Sequence, residues 1–321
     1  MTKLNPHQDL AQEPTKHGFG RGLLKAAKLN SEVVGLSPDV ARSVQMSAFA
    51  EEFPERFIEV GVAEQNIVGV ASGLAATGKI PFVGAYAAFC PGRCWEQIRT
   101  TVCINNQNVK FAGSHTGLGV GPDGATHQAL EDIALMRVLP NMQVFAPADS
   151  IEAEKITLAV AKTNSPSYIR LSRNPVPIFT NPAARFEIGK GYKLKDGHQL
   201  TILSTGTTSW LALQAGLKLK AEGVDAEVLH LPTIKPLDQE LILNSAKKTR
   251  RFITVEDHQI AGGFGSAISE LVAEHYPIPV IRIGVEDKFG QSGTPEELYL
   301  HYGLTTTNIA KKAHQLIKST S

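Results

Sequence analysis

Residues 109–132 read V-K-F-A-G-S-H-T-G-L-G-V-G-P-D-G-A-T-H-Q-A-L-E-D. An apolar run ends at Gly113, a loop carrying Gly117, Gly119, Gly121 and Gly124 follows, and a helix is expected to begin near His127. A short apolar run bounded by turn residues and followed by a helical pattern is the unit from which parallel sheets are built. Glycine at these positions lets the backbone approach a ligand closely, at an entropic cost that a merely structural loop seldom carries. Long loops at the carboxyl ends of parallel strands are where α/β folds bind ligands.

The same alternation extends in both directions. Strands are expected at residues 32–36, 57–60, 80–85, 109–113, 143–146 and 167–171. Ile67, Val70, Ala71 and Leu74 recur at helical spacing after Glu64, and Asp149 with Glu152 reads as a capping box opening the helix of Ile156, Ala159 and Val160. Residues 173–185 contain Pro175, Pro177 and Pro182 and read as an extended linker. A second series follows, with strands at 200–204, 227–230, 252–256 and 280–283. The expected architecture is two doubly wound α/β domains, 1–185 and 186–321, each with its own core.

The chain has 321 residues, 20% of them charged, and a formal net charge of +1. Nucleic-acid and membrane binding are not expected, because basic runs and apolar stretches of roughly 18 residues are both missing. Residues 1–18 are polar and lack the apolar core of a signal peptide. The three cysteines, Cys90, Cys94 and Cys103, form no metal-site spacing and no disulfide framework, as expected of reduced thiols in the cytoplasm.

Three segments carry chemistry. Residues 59–66, E-V-G-V-A-E-Q-N, place Glu64 in the first turn of a helix. Taken alone, this is where acids sit because of the helix dipole. Residues 84–89, G-A-Y-A-A-F, set Tyr86 and Phe89 after a buried strand. The glycine loop adds His115, Asp123 and His127.

Together these segments resemble the transketolase family of thiamine diphosphate enzymes. The resemblance implies a pyrimidine-binding domain followed by a transketolase C-terminal domain. It implies that Glu64 bonds the ring nitrogen of the cofactor's aminopyrimidine and favours the imino tautomer that deprotonates the thiazolium carbon. A carboxylate held in a dry cleft suits such proton sharing. Tyr86 and Phe89 would form the flat apolar wall that a flat heterocycle needs. Asp123 would contact the donor sugar's hydroxyl at C2, His127 would lie beside the cofactor, and His115 near sugar oxygens or phosphate. Arg173, in the segment S-R-N, would bind sugar phosphate. Asp39 and Ser43 match the aspartate and the phosphate-contacting serine after the first strand. Lys16 stands where the family has an arginine, and meets phosphate as a point charge and not as a bidentate fork.

His115 favours transketolase over its relative deoxyxylulose-phosphate synthase, which usually has an acid there. The β-subunits of 2-oxoacid dehydrogenases keep the glutamate but lack the D-G-x-T-H-Q loop. Both remain the alternative assignments. The family's Gly-Asp-Gly motif with a downstream asparagine, which holds Mg²⁺ or Ca²⁺ and the diphosphate, has no counterpart here. Asp123-Gly124 follows Pro122, and Asp196-Gly197 follows Lys195. The expectation is therefore a C-terminal subunit in an α₂β₂ assembly, with an N-terminal subunit supplying metal and diphosphate contacts. In the C-terminal part, Gly262-Gly263-Phe264-Gly265 is a weak sign of nucleotide binding, and His258 reads as structural.

Overall fold

The computed structural model describes residues 10–319, so the polar N-terminus read above lies, over residues 1–9, outside the described residues. Each expected strand begins within one residue of its expected start. The first sheet has seven strands, in the order Thr233–Lys235, Gln143–Phe145, Ser167–Arg170, Lys110–Ser114, Ile80–Tyr86, Val33–Ser37 and Phe57–Glu59. All neighbours are parallel except the first pair. The second sheet is parallel across Val280–Val285, Phe252–Gln259, Leu200–Ser204 and Ala226–His230, with Tyr192–Lys195 as an antiparallel edge.

The two halves are not independent. Thr233–Lys235 comes from the second half and caps the edge of the first sheet. One apolar cluster runs through both halves, joining Val83, Phe111 and Tyr168 to Leu203, Ile234 and Phe264. Each half also has a cluster of its own, around Phe19, Phe82 and Ile169 in the first and around Ile202, Val255 and Ile309 in the second, so the expected separate cores are joined by a shared one. The proline-rich stretch 173–185 is also firmly tied. Val176–Pro177 pairs with Gln12–Glu13, and the Asp149 carboxylate accepts the N–H groups of Phe179 (2.9 Å) and Thr180 (2.7 Å). Asp149 also caps helix Ser150–Val160 through the Glu152 N–H. Only half of the expected capping box forms, because the Glu152 carboxylate turns instead to the Ala148 N–H and to His230 Nε2, 2.7 Å away. Among the described residues no helix is long and apolar enough to cross a membrane. All three cysteines are buried and free.

Lys110 is fully buried at the start of its strand. Its ammonium donates to the Thr163 carbonyl (3.2 Å), the Thr163 hydroxyl (2.9 Å) and the Ser165 carbonyl (2.6 Å), pinning the turn that feeds Ser167–Arg170. Burial pushes the amine down to about 7 from 10.5, whereas the unfolded chain keeps its proton up to the higher value. The unfolded state thus binds more protons across that window, and stability rises with pH through it. Denaturant titrations of Lys110→Met at several pH values are expected to lack this rise.

Candidate active site

Most of the candidate residues lie at or just past the carboxyl ends of parallel strands. Asp39 and Ser43 follow Val33–Ser37, Tyr86 ends Ile80–Tyr86, His115 follows Lys110–Ser114, and Arg173 follows Ser167–Arg170. Glu64 opens helix Glu64–Ala76 after Phe57–Glu59. Lys16 lies in the first turn of helix Thr15–Leu29. That turn is locked to the Arg173 segment by reciprocal bonds, Thr15 N–H to Ser172 Oγ (3.0 Å) and Ser172 N–H to Thr15 Oγ1 (2.7 Å).

Four rings form the centre. Tyr86 lies 4.0 Å from the His115 ring and 6.3 Å from Phe89, measured between centroids. His127 meets Phe89 edge-on at 5.3 Å and Tyr86 at 6.3 Å. His115 is only 4% exposed, and burial, with the nearby charges of Lys16 and Arg173, pushes its imidazole down to about 3. It is therefore a neutral hydrogen-bonding ring, sharing a 2.9 Å bond between Nδ1 and Ser114 Oγ. Thr126 Oγ1 holds His127 Nδ1 in the same way at 2.9 Å.

The cationic side is compact. Lys16 Nζ donates to the Ser43 carbonyl at 3.0 Å, which brings Ser43 to the cluster through its backbone. Burial and the Arg173 charge lower the Lys16 amine below its ordinary value. Arg173 pairs with Asp123 at 3.2 Å and donates to the Val120 carbonyl at 2.6 Å. Asp39 stands apart from these contacts, its N–H held by Glu59 Oε1 at 2.7 Å. Glu64 is 5% exposed, and its Oε2 accepts from Arg93 Nη1 at 2.7 Å. Arg93 went unread in the sequence, although a buried acid calls for a cation nearby.

The glycine loop differs from its sequence reading in two ways. No helix begins near His127: a 3₁₀ segment, Leu118–Asp123, fills the loop, and the α-helix begins at Asp132. The close approach made by the glycines is to the second half of the protein. Gly117, at φ 73°, leaves no room for a β-carbon beside the Asp257 carboxylate, and Gly124, at φ 72°, is similarly pressed on Ser292. Asp257 then accepts the Leu118 N–H at 3.0 Å and the Tyr299 hydroxyl at 3.1 Å. Buried Arg170 closes the loop's far end, donating to Asp132 (3.0 Å), the Ala129 carbonyl (3.3 Å) and the Asp257 carbonyl (2.6 Å).

The Gly263-Phe264-Gly265 turn is not free for a nucleotide. Its Phe264 and Gly265 N–H groups bind the Glu256 carboxylate at 2.6 and 2.8 Å, where an incoming phosphate would otherwise dock. His258 is fully buried, with Nδ1 against the Gln259 carbonyl at 2.7 Å and Nε2 accepting the Ala134 N–H at 3.4 Å, a structural arrangement.

Against known proteins, the transketolase pyrimidine-binding domain matches residues 12–178, and the transketolase C-terminal domain matches residues 189–309. The chain belongs to the transketolase family. A putative transketolase C-terminal section from Methanocaldococcus jannaschii is 44% identical over 307 residues, covering 94% of this chain and 96% of that one. A 6-deoxy-6-sulfo-D-fructose transketolase subunit from a Clostridium species is 38% identical over 294 residues, covering 92% and 91%. The fold matches a split-gene transketolase, described as an inactive β₄ tetramer, with a TM-score of 0.89 at 44% identity, covering 95% and 98%. Transketolase-family membership implies thiamine diphosphate dependence. The pyrimidine half of that cofactor fits the residues present: an apolar ring wall from Tyr86 and Phe89, and a buried carboxylate, Glu64, using one oxygen on Arg93. Among the described residues no group of three or more histidines, cysteines or acids is placed to hold a metal ion.

Proposed function

We propose that this chain is the C-terminal subunit of a thiamine diphosphate-dependent transketolase, which moves a two-carbon ketol unit from a ketose phosphate to an aldose phosphate. The observation that carries this reading is the convergence of Glu64, Tyr86, Phe89, His115 and His127 at the carboxyl ends of one sheet's strands, with Lys16 and Arg173 alongside. Metal and diphosphate contacts come from a separate N-terminal subunit, in an α₂β₂ assembly in the cytoplasm. The M. jannaschii relative's name and the split-gene title of the structural neighbour support that division.

Thiamine diphosphate, when bound, would supply a nucleophilic carbon. The chain's own residues do the rest. Glu64 holds the proton at the pyrimidine ring nitrogen. Tyr86 and Phe89 orient the ring and exclude water. Neutral His115 hydrogen-bonds sugar oxygens, while His127 moves protons at the hydroxyl and carbonyl oxygens that change charge. Asp123 orients the C2 oxygen, and Arg173 and Lys16 receive the phosphate. Ser43, beside Lys16, is the further phosphate contact, and Asp39 is the matching aspartate of the same segment.

The phosphate assignment is tested by Arg173→Met in a ketol-transfer assay with the partner subunit. A charged hydrogen bond contributes about 1.5–3 kcal/mol, so KM for phosphorylated sugars should rise roughly 10- to 100-fold with kcat little changed. An unchanged KM removes Arg173 from the phosphate site. The donor is open to comparison in the same assay, because the Clostridium relative is named for a sulfonated ketose.

A further inference from the structure

The buried acid and the ring wall are joined by a residue that neither the reading above nor the family resemblance used. Arg93 Nη1 donates to Glu64 Oε2 at 2.7 Å, while its guanidinium carbon sits 4.8 Å from the centre of the Phe89 ring. The Arg93 N–H donates to the Phe89 carbonyl at 2.9 Å, so the two residues close one turn. The Arg93 carbonyl in turn receives the Gln65 amide at 3.4 Å, tying that turn to the start of the Glu64 helix. One Glu64 oxygen is thus fixed. Among the described residues no side chain other than Arg93 hydrogen-bonds the carboxylate, and Oε1 is left for a further donor. Arg93 itself is about half exposed, so it gives up little hydration in reaching the acid, whereas Glu64, 5% exposed, would be a buried charge without it.

We propose that Arg93 is a positioning residue for the cofactor's pyrimidine: it clamps Glu64 Oε2 and leaves Oε1 to meet the ring nitrogen. The role rests on the thiamine diphosphate reading above. It acts through Glu64, so its energetic effect must disappear when the Glu64 carboxylate is removed.

The experiment is a double-mutant cycle on cofactor affinity. Thiamine diphosphate is titrated calorimetrically into the complex of this chain with its N-terminal partner, for wild type, Arg93→Met, Glu64→Gln and the double variant. The expected result is an affinity loss of about 10- to 100-fold for Arg93→Met, the size of a charged hydrogen bond. The double variant should then bind no more weakly than Glu64→Gln alone. Arg93→Lys, which restores the charge without the planar fork, should recover part of the loss. Losses that multiply in the double variant overturn the proposal, since Arg93 would then act elsewhere, and so does wild-type affinity in Arg93→Met. If Arg93→Met fails to assemble, Arg93→Lys carries the same cycle, and its smaller loss must vanish beside Glu64→Gln. Unchanged affinity in Glu64→Gln would instead sink the cofactor reading itself.

Discussion

Replacing Glu64 with alanine in the assembled enzyme is expected to lower ketol transfer by roughly 10²- to 10⁴-fold, the range contributed by a positioned acid–base group. Folding should be nearly unaffected. The partner left behind, Arg93, is about half exposed and can turn to water, and the substitution removes a buried charge. Glu59, which ends the preceding strand, has its Oε1 committed to the Asp39 and Gly61 N–H groups at 2.7 and 2.9 Å. Steady-state kinetics beside a thermal melt check both halves. Retention of most activity in Glu64→Ala would contradict the mechanism.

The largest effect on stability is expected from Arg170→Met. Arg170 and Asp132 form a pair that is 8% and 1% exposed, and the Tyr168 hydroxyl donates to the same carboxylate at 2.7 Å. Removing the cation strands a buried charge, which costs about 3–5 kcal/mol. It also releases the Ala129 and Asp257 carbonyls, so the glycine loop loses its far anchor. Denaturant unfolding should show the full loss. Activity measured well below the unfolding transition should also fall, because Asp123 and His127 lie between the Gly117 and Asp132 anchors. The double variant Asp132→Leu with Arg170→Met should be much less destabilised than Arg170→Met alone, since it removes both charges. Equal loss in both would mean that packing, and not the stranded charge, sets the cost.

Much of this was legible in the sequence because the strands that build the sheets are buried on both faces and read as apolar runs. The glycine loop stood out because glycine permits close backbone approach at an entropic cost that a structural loop seldom carries. What the glycines approach was not legible. Asp257 lies far along the chain, and nothing local reveals that one half of the protein packs its carboxylate onto Gly117. The edge strands Gln12–Glu13, Val176–Pro177 and Thr233–Lys235 were missed because two or three residues carry no periodicity, and tertiary contact alone makes them strands. The buried pair Asp132–Arg170 was missed because charged residues are read as surface. Arg93 offered a signal that went unused, four residues after a ring already singled out.

The division of the cofactor between two chains is tested most directly by calorimetry. Thiamine diphosphate with Mg²⁺ is titrated into this chain, into an N-terminal partner carrying Gly-Asp-Gly and the downstream asparagine, and into their mixture. Saturable tight binding is expected in the mixture and at most weak binding to this chain alone, because a multiply charged diphosphate needs metal and oriented N–H donors. Binding to this chain alone with the affinity of the mixture would contradict that division.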